Sequence, residues 1–217
     1  MFWIFVSVGL VIAYLLGAVP SAVWYGKSFY NTDVRDFGSG NAGATNTFRV
    51  LGKKAGSIVM AADILKGFVA TSLPKLIAQY VEVSSSELIL LQIAFGIAAV
   101  IGHIFPVYTQ FKGGKGVASL LGMVLAINPA AGGVCVLTFL VVFVITRYVS
   151  VGSMTAGLVY ASLMFVSSFN PEGLLAMKIF GVATACLLIY THRKNISRLI
   201  NNEESRANLS FKKKSDR

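Results

Sequence analysis

Apolar residues run almost without interruption through seven stretches, near residues 2–25, 55–74, 87–106, 117–128, 130–147, 151–169 and 173–190. Several reach the roughly 20 residues that an α-helix needs to cross a bilayer. The pattern predicts membrane-spanning helices. The fourth and fifth runs are short: Val117 to Thr146 is 30 residues, where two full crossings want about 40 plus a turn. Asn128-Pro129 interrupts this stretch, and such a pair favours a turn, so two short helices are expected rather than one long tilted one. The first run has small residues near its end, GAVPSA, but lacks the basic segment that precedes the apolar core of a cleaved signal. It is expected to be a retained span.

Composition agrees: 55% of residues are hydrophobic, 13% are charged and mean hydropathy is +0.72. A soluble domain averages about 25% charged residues. The expected fold is therefore all-α, a polytopic integral membrane bundle of about seven transmembrane helices. Lysine and arginine collect on the cytoplasmic side of short loops. With the N-terminus outside, residues 26–54, 107–116, the turn at Arg147 and everything after Tyr190 face the cytoplasm, and they hold 16 of the 19 basic residues. Merging the fourth and fifth runs would send the basic tail outside, which the charges reject. Residues 1–200 read as one membrane-embedded domain and 201–217 as a basic cytoplasmic tail that contains Lys212, Lys213 and Lys214. The net charge of +10 is accounted for by basic loops against an anionic inner leaflet, so no nucleic-acid partner is expected. Cys135 and Cys186 lie in apolar runs and read as small hydrophobes. The two histidines form no Cys/His cluster, so neither a metal nor a cofactor is expected.

Three polar clusters emerge on the same expected face. In the first, Gly38, Gly40 and Gly43 match the spacing of a dinucleotide fingerprint, but a membrane helix precedes them where that motif needs a strand. What remains is a glycine-rich backbone that can approach an anion, with Ser39, Asn41, Thr45 and Asn46 as hydrogen-bonding groups and Arg49 as a forked cation. A plain flexible connector is the alternative. In the second, Lys112, Gly113, Gly114, Lys115 and Gly116 resemble a Walker loop, yet Gly116 stands where the hydroxyl residue is required. Two lysines among glycines at a helix start still suit a phosphate; a basic hairpin explains the lysines but not the glycines. The third holds His192, Arg193, Asn195 and Arg198, with His192 and Asn195 on one helix face. A basic flank after a span would account for its arginines. Asp63 and Lys66 form a further pair inside the second run, where charges usually face inward and pair. Their role is structural or functional.

GSGNAGATNTFR, GHIFPVYTQFKGGKGVA and HRKNISRL together resemble the three motifs of the bacterial acyl-phosphate:glycerol-3-phosphate acyltransferases, the PlsY type. The resemblance spans nearly the whole chain. One departure falls in RLINNEE: Asn202 occupies the place of a family glycine, and Glu204 aligns with the family glutamate. The resemblance implies transfer of a fatty acyl group from an acyl-phosphate to the 1-hydroxyl of sn-glycerol 3-phosphate, giving 1-acylglycerol 3-phosphate and inorganic phosphate. It implies no acyl-CoA or acyl carrier protein donor, no obligate protein partner, and a multi-pass bacterial inner-membrane enzyme whose site faces the cytoplasm.

That chemistry suits the residues. A mixed anhydride is already activated, so no acyl-enzyme is needed; the task is to hold two substrates and neutralise developing charge. Lys112, Lys115 and the amides of Gly113, Gly114 and Gly116 are expected to cradle one phosphate, and Ser39 and Arg49 the other. Gly38, Gly40, Asn41, Gly43, Thr45, Asn46 and Lys66 are expected to line the substrate site. Asn195 would orient substrate. His192 or a substrate phosphate oxygen would take the hydroxyl proton. The rival from another class is an organic-phosphate transporter, but such proteins bind near the midplane between repeated halves, and no repeat is visible.

Overall fold

Residues 2–207 are described by a computed structural model; Met1 and residues 208–217, including the lysine run 212–214, lie outside the described residues. The first apolar run folds as two helices, α1 (Phe2–Ala18) and α2 (Ser21–Tyr30), bent by 43°. Pro20 lies at the break. It lacks an amide and disfavours helix at the residue before it.

The second run belongs to a longer helix than hydropathy alone outlines. α3 (Ala44–Ser72) begins within the first polar cluster and carries one break, at Gly52. There φ is 86°, a conformation open to glycine at little cost. A short α4 (Pro74–Ile77) follows. α5 (Ser85–Ile104) opens on a reciprocal capping box between Ser84 and Glu87, which satisfies two of the free amides at a helix start.

The expected break between the fourth and fifth runs is present. α6 (Val117–Ile127) stops at Asn128, whose Oδ1 accepts from the Ala131 amide at 2.9 Å, and Pro129 begins α7 (Pro129–Thr146). α8 (Val149–Leu163) and α9 (Leu175–Thr191) follow, and α10 (Arg193–Ile200) turns away from α9 by 58°. The sixth run thus ends as helix at Leu163, short of the expected 169.

α3 with α4, α5 and α7 are long and apolar enough to cross a membrane, as are α1–α2 and α9–α10 if each bent pair counts as one; α6 and α8 are shorter apolar helices. At about 1.5 Å per residue, α6 measures roughly 16 Å against a hydrocarbon core of about 30 Å.

Side-chain distribution is inverted relative to a soluble domain. Trp3, Ile4 and Val11 of α1 and Leu137, Val144 and Ile145 of α7 face outward, whereas Asp63, Gln92, His103, Ser119, Ser150 and Glu204 are buried. Lipid supplies little hydrophobic drive between helices, so close packing holds them instead. Gly67 and Gly122 let α3 and α6 approach until a Cβ at either would overlap the backbone of Ser119 or Ile64. Gly17 and Gly102 do the same for α1 and α5. Tyr160, Met164, Phe180 and Leu188 fill the space between α8 and α9.

Candidate active site

The N-terminal part of α3 and the loop before it form the first wall. Gly38 and Gly40 adopt left-handed conformations, with φ of 63° and 69°. Asn46, 1% exposed, organises this loop: Oδ1 accepts from the Ser39 amide at 2.9 Å and from its hydroxyl at 3.2 Å. Its Nδ2 donates to the carbonyls of Val34 at 2.6 Å and Phe37 at 3.1 Å. Asn46 is therefore occupied in shaping the loop, and Gly38 makes room for it, since a Cβ at Gly38 would overlap its Oδ1. Asn46 borders the cleft, as expected, with its side-chain hydrogen bonds directed into the loop, whereas Gly38 lies off the cleft lining.

Ser39, Asn41, Gly43, Thr45 and Arg49 do line the cleft. Gly43 caps α3, so the amides of Ala44 and Thr45 stand in its first turn without a helical carbonyl. Arg49 is exposed and forms no ion pair with a carboxylate among the described residues. A helix N-terminus beside an arginine is suited to a phosphate.

The second wall is the lysine–glycine segment, and here the expectation needs correction. The amides of Gly113 and Gly114 donate to the carbonyls of Ile104 at 3.2 Å and His103 at 3.1 Å. They close the loop against the end of α5 and cannot form an anion nest. Lys112 is exposed, and neither it nor Gly113 lines the cleft; Gly114 borders an adjoining chamber, while Lys115 and Gly116 line the cleft itself. Gly116 caps α6 with φ of 83°. The Lys115 ammonium donates to Asn195 Oδ1. Burial pushes its pKa down to about 8, with Glu204 opposing the shift and Arg198 and Arg49 adding to it.

The third wall is the break between α9 and α10. His192 is 3% exposed and its Nδ1 lies 2.8 Å from the Leu188 carbonyl. A carbonyl only accepts, so Nδ1 carries the proton and Nε2 is the acceptor of the neutral ring. Asn195 Nδ2 donates to Glu204 Oε1 at 2.6 Å. Ser150 Oγ donates to the same oxygen at 3.1 Å, and Arg198 Nε to Glu204 Oε2 at 2.7 Å. Burial by itself would raise the Glu204 carboxyl, but the donors Arg198, Asn195 and Ser150 outweigh it and hold it below the usual range. Asn202 has φ of 58°, which asparagine tolerates better than most residues. The turn that a glycine would make is kept, and Glu204 is delivered to Asn195.

Lys66 stands apart. Its Nζ is 2.8 Å from Asp63 Oδ1 and donates to the Val19 carbonyl at 2.8 Å, so it serves the α1–α2 break and does not line the cleft. Glu204, Ser150, Ser153, Asp63 and His103 do line it; of these the residue pattern marks only Asp63, through its pairing with Lys66. Glu204 had a signal in its motif alignment. A serine at the start of the sixth apolar run carries little.

The three walls enclose a cleft of about 150 Å³ with apolar side chains of Met60, Ile64 and Leu121 at one flank. A second chamber of about 350 Å³ shares Ser39, Asn41, Lys115, Asn195 and Arg198 with it and adds Gly40, Arg193 and Lys194. Ser39 Oγ donates to Asn46 Oδ1 and has no basic hydrogen-bond partner among the described residues, which do not build an activated serine nucleophile there. The cleft suits anionic groups beside an apolar chain.

Comparison with known proteins points the same way. A family model described as glycerol-3-phosphate acyltransferase matches residues 7–202. A relative named glycerol-3-phosphate acyltransferase 2, from Bacillus cereus, is 45% identical over 208 residues, covering 94% of this chain and 96% of its own. A glycerol-3-phosphate acyltransferase from Enterococcus faecalis is 41% identical over 211 residues, covering 94% and 93%. The crystal structure of PlsY, an integral membrane glycerol 3-phosphate acyltransferase, in its glycerol 3-phosphate form, matches with a TM-score of 0.79 at 35% identity, covering 94% of this chain and 96% of that one. Its lysophosphatidic acid form gives 0.76 at 34% identity. With sequence and fold alike along nearly the whole length, and the three polar segments drawn into one cleft, this chain belongs to the glycerol-3-phosphate acyltransferase family.

Proposed function

We propose that the protein transfers a fatty acyl group from an acyl-phosphate to the 1-hydroxyl of sn-glycerol 3-phosphate, releasing inorganic phosphate. The observation that carries this reading is the hydrogen bond from Lys115 to Asn195. It joins two segments about 80 residues apart into one cleft where cations, a helix N-terminus and apolar side chains meet. Membership in the family, and the glycerol 3-phosphate and lysophosphatidic acid forms of the PlsY structure, support it.

The alkyl chain of the donor lies along Met60, Ile64 and Leu121, where each buried methylene contributes about 0.8 kcal/mol. Its phosphate meets Lys115. The acceptor's phosphate is held by Ser39, Arg49 and the first amides of α3. The glycerol oxygen attacks the acyl carbon, the carbon–oxygen bond to phosphate breaks, and Lys115 neutralises charge on the leaving phosphate. Asn195, locked by Glu204, orients the reacting groups. The hydroxyl proton goes to His192 Nε2 or to a phosphate oxygen, and His192→Gln separates the routes: retained turnover assigns the proton to phosphate.

We further place the protein in the bacterial cytoplasmic membrane with seven crossings, the N-terminus outside, and the cleft and C-terminus toward the cytoplasm. The support is the clustering of basic residues on the side that bears all three motifs. Single cysteines at positions 112 and 201 should label from one side and one at position 82 from the other, after removal of both native cysteines, Cys135 and Cys186.

For the activity, purified protein in detergent given palmitoyl phosphate and glycerol 3-phosphate should release phosphate and form lysophosphatidate. Transport of glycerol 3-phosphate into vesicles without acylation would sink the proposal.

A further inference from the structure

Asp63 lies in the middle of α3 and is 2% exposed. A lone charge at such depth is costly, and Lys66 compensates it at 2.8 Å while also holding the Val19 carbonyl. His103, 6% exposed near the end of α5, brings Nδ1 to 3.6 Å from the same Asp63 oxygen. The other edge of that ring is covered by Gly114, where a Cβ would overlap Nε2. The Gly114 amide is bonded to the His103 carbonyl. Beyond the loop, Ser119 Oγ donates to the Asp63 carbonyl at 3.1 Å. The segment from Gly114 to Ser119 is thus supported at one end by the His103 ring and at the other by the Asp63 backbone. Lys115 stands between the two supports.

A lysine on a flexible stem is a precise phosphate ligand only if its backbone is held, and a displacement of about 1 Å can cost a hundredfold in rate. We propose that Asp63 and His103 are positioning residues that fix the lysine–glycine loop so that Lys115 meets substrate phosphate, with Lys66 neutralising Asp63. This rests on the acyl-transfer reading. Both residues border the cleft, and direct contact with substrate is the rival that the test separates.

The test is a double-mutant cycle in purified, detergent-solubilised protein, with kcat and both KM values measured for wild type, Asp63→Asn, Lys115→Ala and the pair. Asp63→Asn should reproduce, at about tenfold, whichever defect Lys115→Ala produces, in kcat or in the KM of one substrate, with the remaining parameters within about threefold. In the Lys115→Ala background it should add less than about twofold, because a residue acting through Lys115 has nothing left to position. Effects that multiply in full in both backgrounds overturn the proposal in favour of direct contact, and a folded Asp63→Asn protein with unchanged kcat and KM values overturns it outright. If Asp63→Asn does not fold, His103→Gln takes its place in the cycle; failure of both to fold overturns the assignment in favour of a purely architectural role. An inactive wild type would refute the functional reading itself, whereas an active wild type with a multiplicative cycle refutes only this inference.

Discussion

Replacing Glu204 by glutamine probes whether the third wall works as a unit. The carboxylate accepts from Asn195 at 2.6 Å, Arg198 at 2.7 Å and Ser150 at 3.1 Å, and the residue is 7% exposed. Glutamine keeps the shape and removes the charge. Whichever way its amide is turned, the nitrogen faces a donor: Arg198 in one orientation, Asn195 and Ser150 in the other. Hydrogen bonds to charged groups contribute roughly 1.5–3 kcal/mol each. Arg198 is 33% exposed in its side chain, so water softens its loss. We take the net cost as about 2–3 kcal/mol, close to one strong bond lost outright. Asn195 would lose its anchor, and Lys115 would lose the fixed oxygen it donates to. If the cost appears in the transition state, kcat/KM falls roughly thirty- to 150-fold. The assay is phosphate release from palmitoyl phosphate with glycerol 3-phosphate in detergent, beside a thermal melt of the same preparation. Activity within about threefold of wild type, in protein that melts normally, would refute the view that Glu204 holds the wall together.

Three further outcomes are expected. Lys115 has its pKa lowered to about 8 from 10.5, so kcat/KM for the substrate it binds should fall as pH rises through about 8. The folded protein sheds that proton before the unfolded chain does, so the group makes stability rise between those values; a melt at each pH tells titration from unfolding, and Lys115→Arg should abolish the alkaline limb. Gly122→Ala places a methyl group on the Ile64 carbonyl and should cost about 1–3 kcal/mol, read as a lower melting temperature; an unchanged melt contradicts the close α3–α6 packing. Asn202→Gly should preserve activity, whereas Asn202→Val should cost about 1–2 kcal/mol at its left-handed turn and lower activity by misplacing Glu204; equal activity in both variants would count against that link.

Much of the molecule was legible along the chain. Hydropathy is a sum over neighbouring residues, so the apolar runs, the break at Asn128-Pro129 and the clustering of basic residues needed no third dimension. Arg49, Lys115, His192 and Asn195 were also visible, because cations, glycines and an imidazole stand out against an apolar background. Hydrogen-bond partners are not additive in that way. That Gly113 and Gly114 spend their amides on carbonyls about ten residues earlier, that Asn46 is consumed by its own loop, and that Lys66 turns to Val19 all follow from which backbones approach each other. α3 begins inside a polar stretch because its first turn opens on a cleft rather than on lipid, and no local hydropathy records that. The sequence by itself determined a bundle with three polar clusters; only the tertiary packing of small residues decided which polar atoms remain free. A donor engaged by a distant carbonyl cannot also bind a phosphate, and that contact exists only after folding.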